Sequence, residues 1–472
     1  MRDFLVMGIV LALALVALRR PWIGVMLWVW ISLMNPHRYT WGFAYDAPVA
    51  MIAGVATLLG LLFSPNKESP FKALPVALFV AFTLWVTLSW QMGLNPSGDF
   101  AQWDKVMKVN LMVVICLMLI RTREQIHILA LVLTLSVALL SAKGGIFTVV
   151  NAGSYRVWGP PDSWIAGSNE FAVATIMTIP LLRFLQLQVT HKWISRGLMV
   201  AMLLCAASAL GSYSRGALLA IGAMTVLLWW RGTNRGRNGV ILLVLALAML
   251  AAMPEQWSTR MDTIQTYEED ASALGRLSAW WVSWNLALNH PFGAGFNIAR
   301  LELFMAYSPY GIDFGTPVAH SIWFQVLGHH GFVGLALYIG IWVATWRCAA
   351  GLRKAGRDDP NLKWVRDLGG MAQVCIAGYC VGGAFLQLAY YDFPYYVMAL
   401  VVLTHTWVRN RAWEREAAPV PTRWRRLVGL APWGAVSGNS QTARAGALPA
   451  GVHPPARPHA PLVPSQWPNR RP

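Results

Sequence analysis

The sequence is poor in charge. Asp, Glu, Lys and Arg make up 12% of its 472 residues, about half of the roughly 25% usual in soluble domains, so an ordinary soluble globular chain is excluded. Acidic residues are the scarcer sign, 21 against 38 Lys and Arg. Cysteine is scarce too. Cys116, Cys205, Cys348, Cys375 and Cys380 fall in or beside apolar segments and form no CxxC pair, so neither a metal site nor a disulfide framework is indicated. The alternating ten-residue segments of a transmembrane β-barrel are missing. No internal repeat is evident, which disfavours inverted-repeat transporter folds. No cleavable signal shows; the first apolar run, Phe4 to Leu18, stops at Arg19-Arg20-Pro21 and reads as a retained segment.

What is abundant is hydrocarbon. Hydrophobic residues reach 56% and the mean hydropathy is +0.46. Apolar runs recur near 4–18, 21–34, 47–63, 71–91, 106–120, 126–142, 170–188, 195–211, 216–230, 238–253, 320–347, 367–390 and 393–408. Backbone amides in lipid must be satisfied within their own segment, so these runs predict an all-α, polytopic transmembrane helical bundle. About 12 spans are expected, or 13 if both segments flanking Arg19-Arg20-Pro21 cross. The net charge of +17 lies mainly in short loops and the tail. That distribution fits contact with lipid headgroups rather than nucleic acid.

The basic residues also predict orientation. The loops Ser64–Lys72, Arg121–Gln125, Gln188–Arg196, Arg231–Gly239 and Arg347–Arg366 hold most of them and should be cytoplasmic. The alternate loops 35–46, 92–105, 143–169, 211–215, 254–319 and 391–392 should face the periplasm, with the C-terminus in the cytoplasm. The chain then divides into a bundle over 1–253, a large periplasmic loop over 254–319, C-terminal transmembrane helices over 320–408 and a tail over 409–472. Eleven prolines among scattered arginines leave that tail unable to bury a core, and disorder is expected there.

The loop 254–319 is too long for a simple connection. Leu274, Leu277, Trp281, Trp284 and Leu288 recur at helical spacing, and Asn289-His290-Pro291 followed by Phe292-Gly293-Ala294-Gly295 ends the run. A structured helical cap follows, lying on the outer membrane surface or packed on the bundle. Three arginines on this side run against the topological bias. Arg215 stands in Gly211-Ser212-Tyr213-Ser214-Arg215-Gly216, Arg276 in Ala273-Leu274-Gly275-Arg276-Leu277, and Arg156 ahead of Val157-Trp158-Gly159-Pro160-Pro161. Guanidinium forks of this kind suit a diphosphate ester, although a lipid headgroup or a carboxylate would serve a single arginine equally. His320 opens the segment Ala319-His320-Ser321, where a helix N-terminus would keep its ring neutral and able to accept a proton; a structural role is the alternative. His329 and His330 read as polar groups facing the bundle interior beside Gly331 and Gly334. Glu268, Glu269 and Asp270 read as a solvated loop.

Ser214-Arg215-Gly216, Gly275-Arg276, His290-Pro291-Phe292-Gly293-Ala294-Gly295 and Ala319-His320-Ser321, in this order, resemble the O-antigen ligase and polymerase superfamily. Met34-Asn35-Pro36-His37-Arg38, Thr40-Trp41-Gly42-Phe43-Ala44-Tyr45-Asp46, Lys143-Gly144-Gly145-Ile146-Phe147 and Val157-Trp158-Gly159-Pro160-Pro161 are similar to its branch of exosortase-associated O-glycosylation ligases. The likeness spans roughly residues 1–408. It implies a glycosyltransferase of the bacterial inner membrane, part of lipopolysaccharide biosynthesis, that works at the periplasmic face without a metal or other cofactor. The implied donor is an undecaprenyl diphosphate-linked glycan, the acceptor lipid A–core, and the outcome inversion at the anomeric carbon. Arg215 and Arg276 match the arginines that hold the diphosphate, with Arg156 a further candidate, and His320 matches the histidine base. A polymerase or a protein O-oligosaccharyltransferase would share the donor and differ in acceptor. A non-enzymatic transporter would instead place its ionisable residues near mid-membrane, whereas these gather at the outer ends of spans.

Overall fold

The computed structural model describes residues 1–65, 67–231, 236, 240, 271–357, 359–414 and 416. The expected segment 238–253, the Glu268-Glu269-Asp270 run and almost all of the tail lie outside the described residues. The described residues are helical throughout, with no strand among them. In chain order the helices are α1 (Arg2–Arg19), α2 (Pro21–Met34), α3 (Val49–Phe63), α4 (Leu74–Gln91), α5 (Pro96–Leu119), α6 (Arg123–Val150), α7 (Ser168–Gln188), α8 (Lys192–Leu210), α9 (Arg215–Arg231), α10 (Ala271–Asn289), α11 (Leu301–Tyr307), α12 (Ile322–Ala355), α13 (Lys363–Gly382) and α14 (Asp392–Arg409). Six of the described helices, α4, α6, α7, α8, α12 and α13 with the turn that follows it, are long and apolar enough to cross a membrane; α2, α3 and α9 are shorter apolar helices.

Local chemistry sets most boundaries. Arg20 is extended (φ −133°, ψ 77°) and Pro21 takes the first position of α2, so the two opening segments are separate helices. Asn35 in the left-handed region closes α2. Asn95 caps α5 by accepting from the Gly98 amide at 3.1 Å. Thr122 and Gln125 form a capping box at the start of α6. The run expected to be helical over 367–390 is helical only to Gly382: a short 3-10 turn over Gly383–Phe385 follows, and bends and a turn lead the chain into α14.

Several connections gather at two ends of the bundle. At one end Glu68 lies 3.8 Å from Arg121, Arg409 donates to the Lys72 carbonyl at 2.9 Å, and the Arg123 amide meets Glu416 at 3.3 Å. At the other, Arg38 meets Asp162 at 3.6 Å, the Leu94 amide meets the Ala294 carbonyl at 3.0 Å, and the Val157 amide meets the Gly211 carbonyl at 3.0 Å.

The outer-loop helix α10 packs on α12 through a face of small and aliphatic residues: Gly275, Ser278, Ala279, Val282, Ser283 and Leu286 are buried. Trp281, Trp284 and Leu288 stay exposed on the other face. Of the two expected arrangements, packing on the bundle holds for the buried face, and Trp284, though partly exposed, packs edge-on against Phe332 of α12 at 5.2 Å between ring centroids.

The segment after α10 has a role that its letters do not announce. Helix α12 is broken at Gly331 (φ 68°, ψ −171°), a backbone conformation essentially restricted to glycine. The break strands carbonyls one turn earlier, and the loop supplies donors: Ala294 N–H to Gly328 O at 2.9 Å and Gly295 N–H to His329 O at 3.0 Å. Ser89 Oγ adds bonds to Phe292 O at 2.6 Å and to His330 Nδ1 at 2.7 Å. The Tyr390 hydroxyl joins His329 Nδ1 at 2.9 Å and His330 Nε2 at 2.6 Å. Both histidines are buried and tied into this plug, so they face the bundle interior and hold the fold together.

A methyl group on Gly331 would strike the Pro291 carbonyl, and one on Gly293 (φ 72°) would strike the His329 carbonyl. Gly331→Ala should therefore cost at least about 2 kcal/mol. Gly222→Ala, in α9 with no atom within 4 Å of the added carbon, should leave stability unchanged or raise it by up to about 1 kcal/mol. Chemical denaturation of the purified protein, followed by tryptophan fluorescence, separates the two; equal stabilities would show that the break is not constrained by the plug.

Candidate active site at the outer end

His320 does not begin α12. It stands two residues ahead of it, before the Ser321 cap, and in the left-handed region (φ 43°). His is among the few non-glycine residues that populate this region, and such outliers concentrate at functional sites. The cause is local. Trp280 Nε1 donates to the Ala319 carbonyl at 2.7 Å and pins the segment to α10, while Ile322 must at once enter the helix, so His320 takes the turn. Arg276 is one helical turn before Trp280 on the same face. Gly275, its neighbour, lies 3.5 Å (from an added Cβ position) from Pro317, in the segment leading to His320. The segments that carry Arg276 and His320 thus lie against each other where α10 crosses the start of α12.

Electrostatics agrees with the geometry. Burial lowers the His320 pKa from its ordinary value, and the positive charge of Arg276 lowers it further. The ring is half-buried and stays neutral near pH 7, with a lone pair to offer. The same Arg276 charge acts on Glu170, in the first turn of α7. Glu170 was not among the residues singled out from the sequence. Its side chain folds back over Gly167, where a Cβ would collide with the carboxylate. An acidic residue at the outer end of an apolar run was the available signal, and its arginine partner lies over a hundred positions away.

Arg215 is the first residue of α9. The cap is local: the Ala217 amide donates to Ser214 Oγ at 3.2 Å. Gly216 faces Phe385, and Gly383 of the same 3-10 turn abuts Ile322 at the start of α12. Val173 of α7 and Ala220 of α9 flank Gly382. The first turns of α7, α9 and α12 therefore share one wall, the turn after α13, and Glu170, Arg215 and His320 stand at these helix starts. Arg156 sits further along the rim, its guanidinium 5.7 Å above the Tyr213 ring. Tyr213, whose hydroxyl binds the Gly153 carbonyl, precedes Arg215 by two residues.

The N-terminal motifs form a second group on the same end. Arg38 bridges Asp46 at 3.2 Å and Asp162 at 3.6 Å, Lys143 lies 5.0 Å above the Tyr39 ring, and Lys105 lies 4.0 Å above the Trp164 ring. Arg38 ties the loop after α2 to the loop before α7, which continues to Glu170.

No curated protein matches this chain. Residues 1–190, which include the N-terminal motifs and Arg156, match the model of a family of unknown function, DUF5935. Residues 200–339 match the model of the O-antigen ligase family and contain Arg215, Arg276 and His320 together. Residues 200–339 thus carry a domain similar to the O-antigen ligase family.

Proposed function

We propose that the protein is a multi-pass enzyme of the bacterial inner membrane that transfers a preassembled glycan from undecaprenyl diphosphate to lipid A–core at the periplasmic face. The observation that carries the reading is a half-buried His320, near enough to Arg276 for that charge to lower its pKa, inside the region that matches the ligase family. The acceptor hydroxyl gives its proton to the imidazole as its oxygen attacks the anomeric carbon from the face opposite the phosphate. The bond from that carbon to the phosphate oxygen breaks, and the diphosphate leaves with the electron pair. Arg215 and Arg276, with Arg156 at the rim, hold the leaving group and stabilise the charge it gains. Glu170 orients Arg276. With guanidinium groups supplying the charge, the reaction needs no metal.

The N-terminal motifs support a second reading of the acceptor alone. Their likeness to the exosortase-associated branch admits a growing glycan or a protein hydroxyl at the same donor site. Purified protein incubated with a lipid diphosphate glycan, and offered lipid A–core, free glycan or protein separately, tests both. Transfer to lipid A–core is expected. Transfer only to another acceptor would replace the acceptor and keep the donor chemistry, and no transfer to any acceptor would overturn the reading.

A further inference from the structure

The opposite end of the bundle carries a pocket that the ligase chemistry does not use. It is a cavity of about 240 Å³ between the C-terminal ends of α5 and α14 and the start of α6. Ile120 and Leu403 give it an apolar side, and Glu68, Lys72, Arg121 and Glu416 give it a charged one. Apolar wall and charged mouth meet where helices leave the hydrocarbon, the setting in which basic interhelical pockets take lipid headgroups.

The charges are arranged in a particular way. Arg121 turns Nη1 toward Glu68 at 3.8 Å, while its Nε and Nη2 donors have no acceptor among the described residues. Those two donors are the edge that grips phosphate oxygens side by side. Lys72 binds Glu68, which is held ionised, its pKa lowered chiefly by that bond. Glu416 caps α6 through the Arg123 amide and accepts from Trp407 Nε1 at 2.7 Å. Two cations and two carboxylates thus line one small chamber. An anionic headgroup would bring its charge up to both carboxylates, and a simple cation would meet the guanidinium. A headgroup with a phosphate and an ammonium a few bonds apart matches both signs at once.

We infer that this pocket is a specific site for an aminophospholipid, with the phosphodiester on Arg121 and Lys72, the primary ammonium on Glu68, and the start of the acyl chains against Ile120 and Leu403. The ammonium needs N–H donors for Glu68, so a trimethylated headgroup of the same charge should bind worse.

Native mass spectrometry of the full-length protein, titrated with phosphatidylethanolamine, phosphatidylcholine and phosphatidylglycerol of identical acyl chains, tests this. One tightly held phosphatidylethanolamine is expected, favoured about tenfold over each of the others. Arg121→Gln should lower its retention about tenfold, and Glu68→Gln should erase the preference over phosphatidylcholine while retaining the phosphate hold. Ser64→Ala, on the same loop but outside the pocket lining, serves as the control and should bind like the parent. Phosphatidylglycerol held as tightly as phosphatidylethanolamine would overturn the inference in favour of an anionic headgroup. Undiminished retention in Arg121→Gln, or none in the parent, would overturn it outright.

Discussion

His320→Asn should lower glycan transfer by about a thousandfold while leaving donor binding nearly unchanged. Asparagine is the informative replacement because it tolerates the left-handed backbone that position 320 requires, so the turn ahead of α12 survives while the base is lost. His320→Ala should be equally inactive and slightly less stable. The pH dependence gives an independent check. A general base works only when neutral, so kcat/KM falls as pH drops through the free enzyme's imidazole pKa. Burial and Arg276 hold that pKa below the ordinary 6.5, so the acid limb should lie below pH 6.5. Removing the neighbouring charge in Arg276→Gln should move the limb upward. An active His320→Asn enzyme, or an acid limb unmoved by Arg276→Gln, would remove His320 as the base.

The second large effect is expected at the arginines. Arg276→Ala and Arg215→Ala should each lower transfer by about a hundredfold to a thousandfold, the range found when one preorganised donor to a developing oxyanion is removed. Unlike the histidine variants, they should also weaken binding of the lipid diphosphate, since the diphosphate is already charged in the ground state. Lysine should rescue only in part at either position, because a point charge does not reproduce a guanidinium fork. Glu170→Gln should resemble a mild Arg276 variant, with reduced turnover but a retained phosphate hold. Normal donor binding and turnover in both arginine variants would refute the clamp and leave His320 beside a positive charge of other purpose.

Much of the fold was legible before any coordinates. Apolar runs of spanning length and the lysines and arginines between them carry local information, and the helices fall where those runs lie. The two histidines at 329 and 330 read correctly as interior groups, since polar residues within a span have few other places to go. Arg276 and His320 could be named from residue types and motif order, though not placed together. Three features stayed hidden. The break at Gly331 looks like any glycine in an apolar helix until the plug from 290–296 is seen to satisfy it. The end of α13 at Gly382 lies inside a run whose hydropathy continues past it. Glu170 gains its meaning from Arg276, and Arg121 from Glu68, pairings that no spacing encodes.

By itself, the sequence determined a helical membrane protein and the kinds of side chain offered between its apolar runs. These follow from hydrophobicity and charge, properties that each residue carries wherever it lies. The tertiary structure alone decided that α10 lies across the start of α12, with His320 in a left-handed turn within reach of the Arg276 charge. It decided equally that a loop backbone repairs a broken helix. Those outcomes rest on close contact between segments remote in sequence, where one donor, one carbonyl or one missing Cβ sets the geometry.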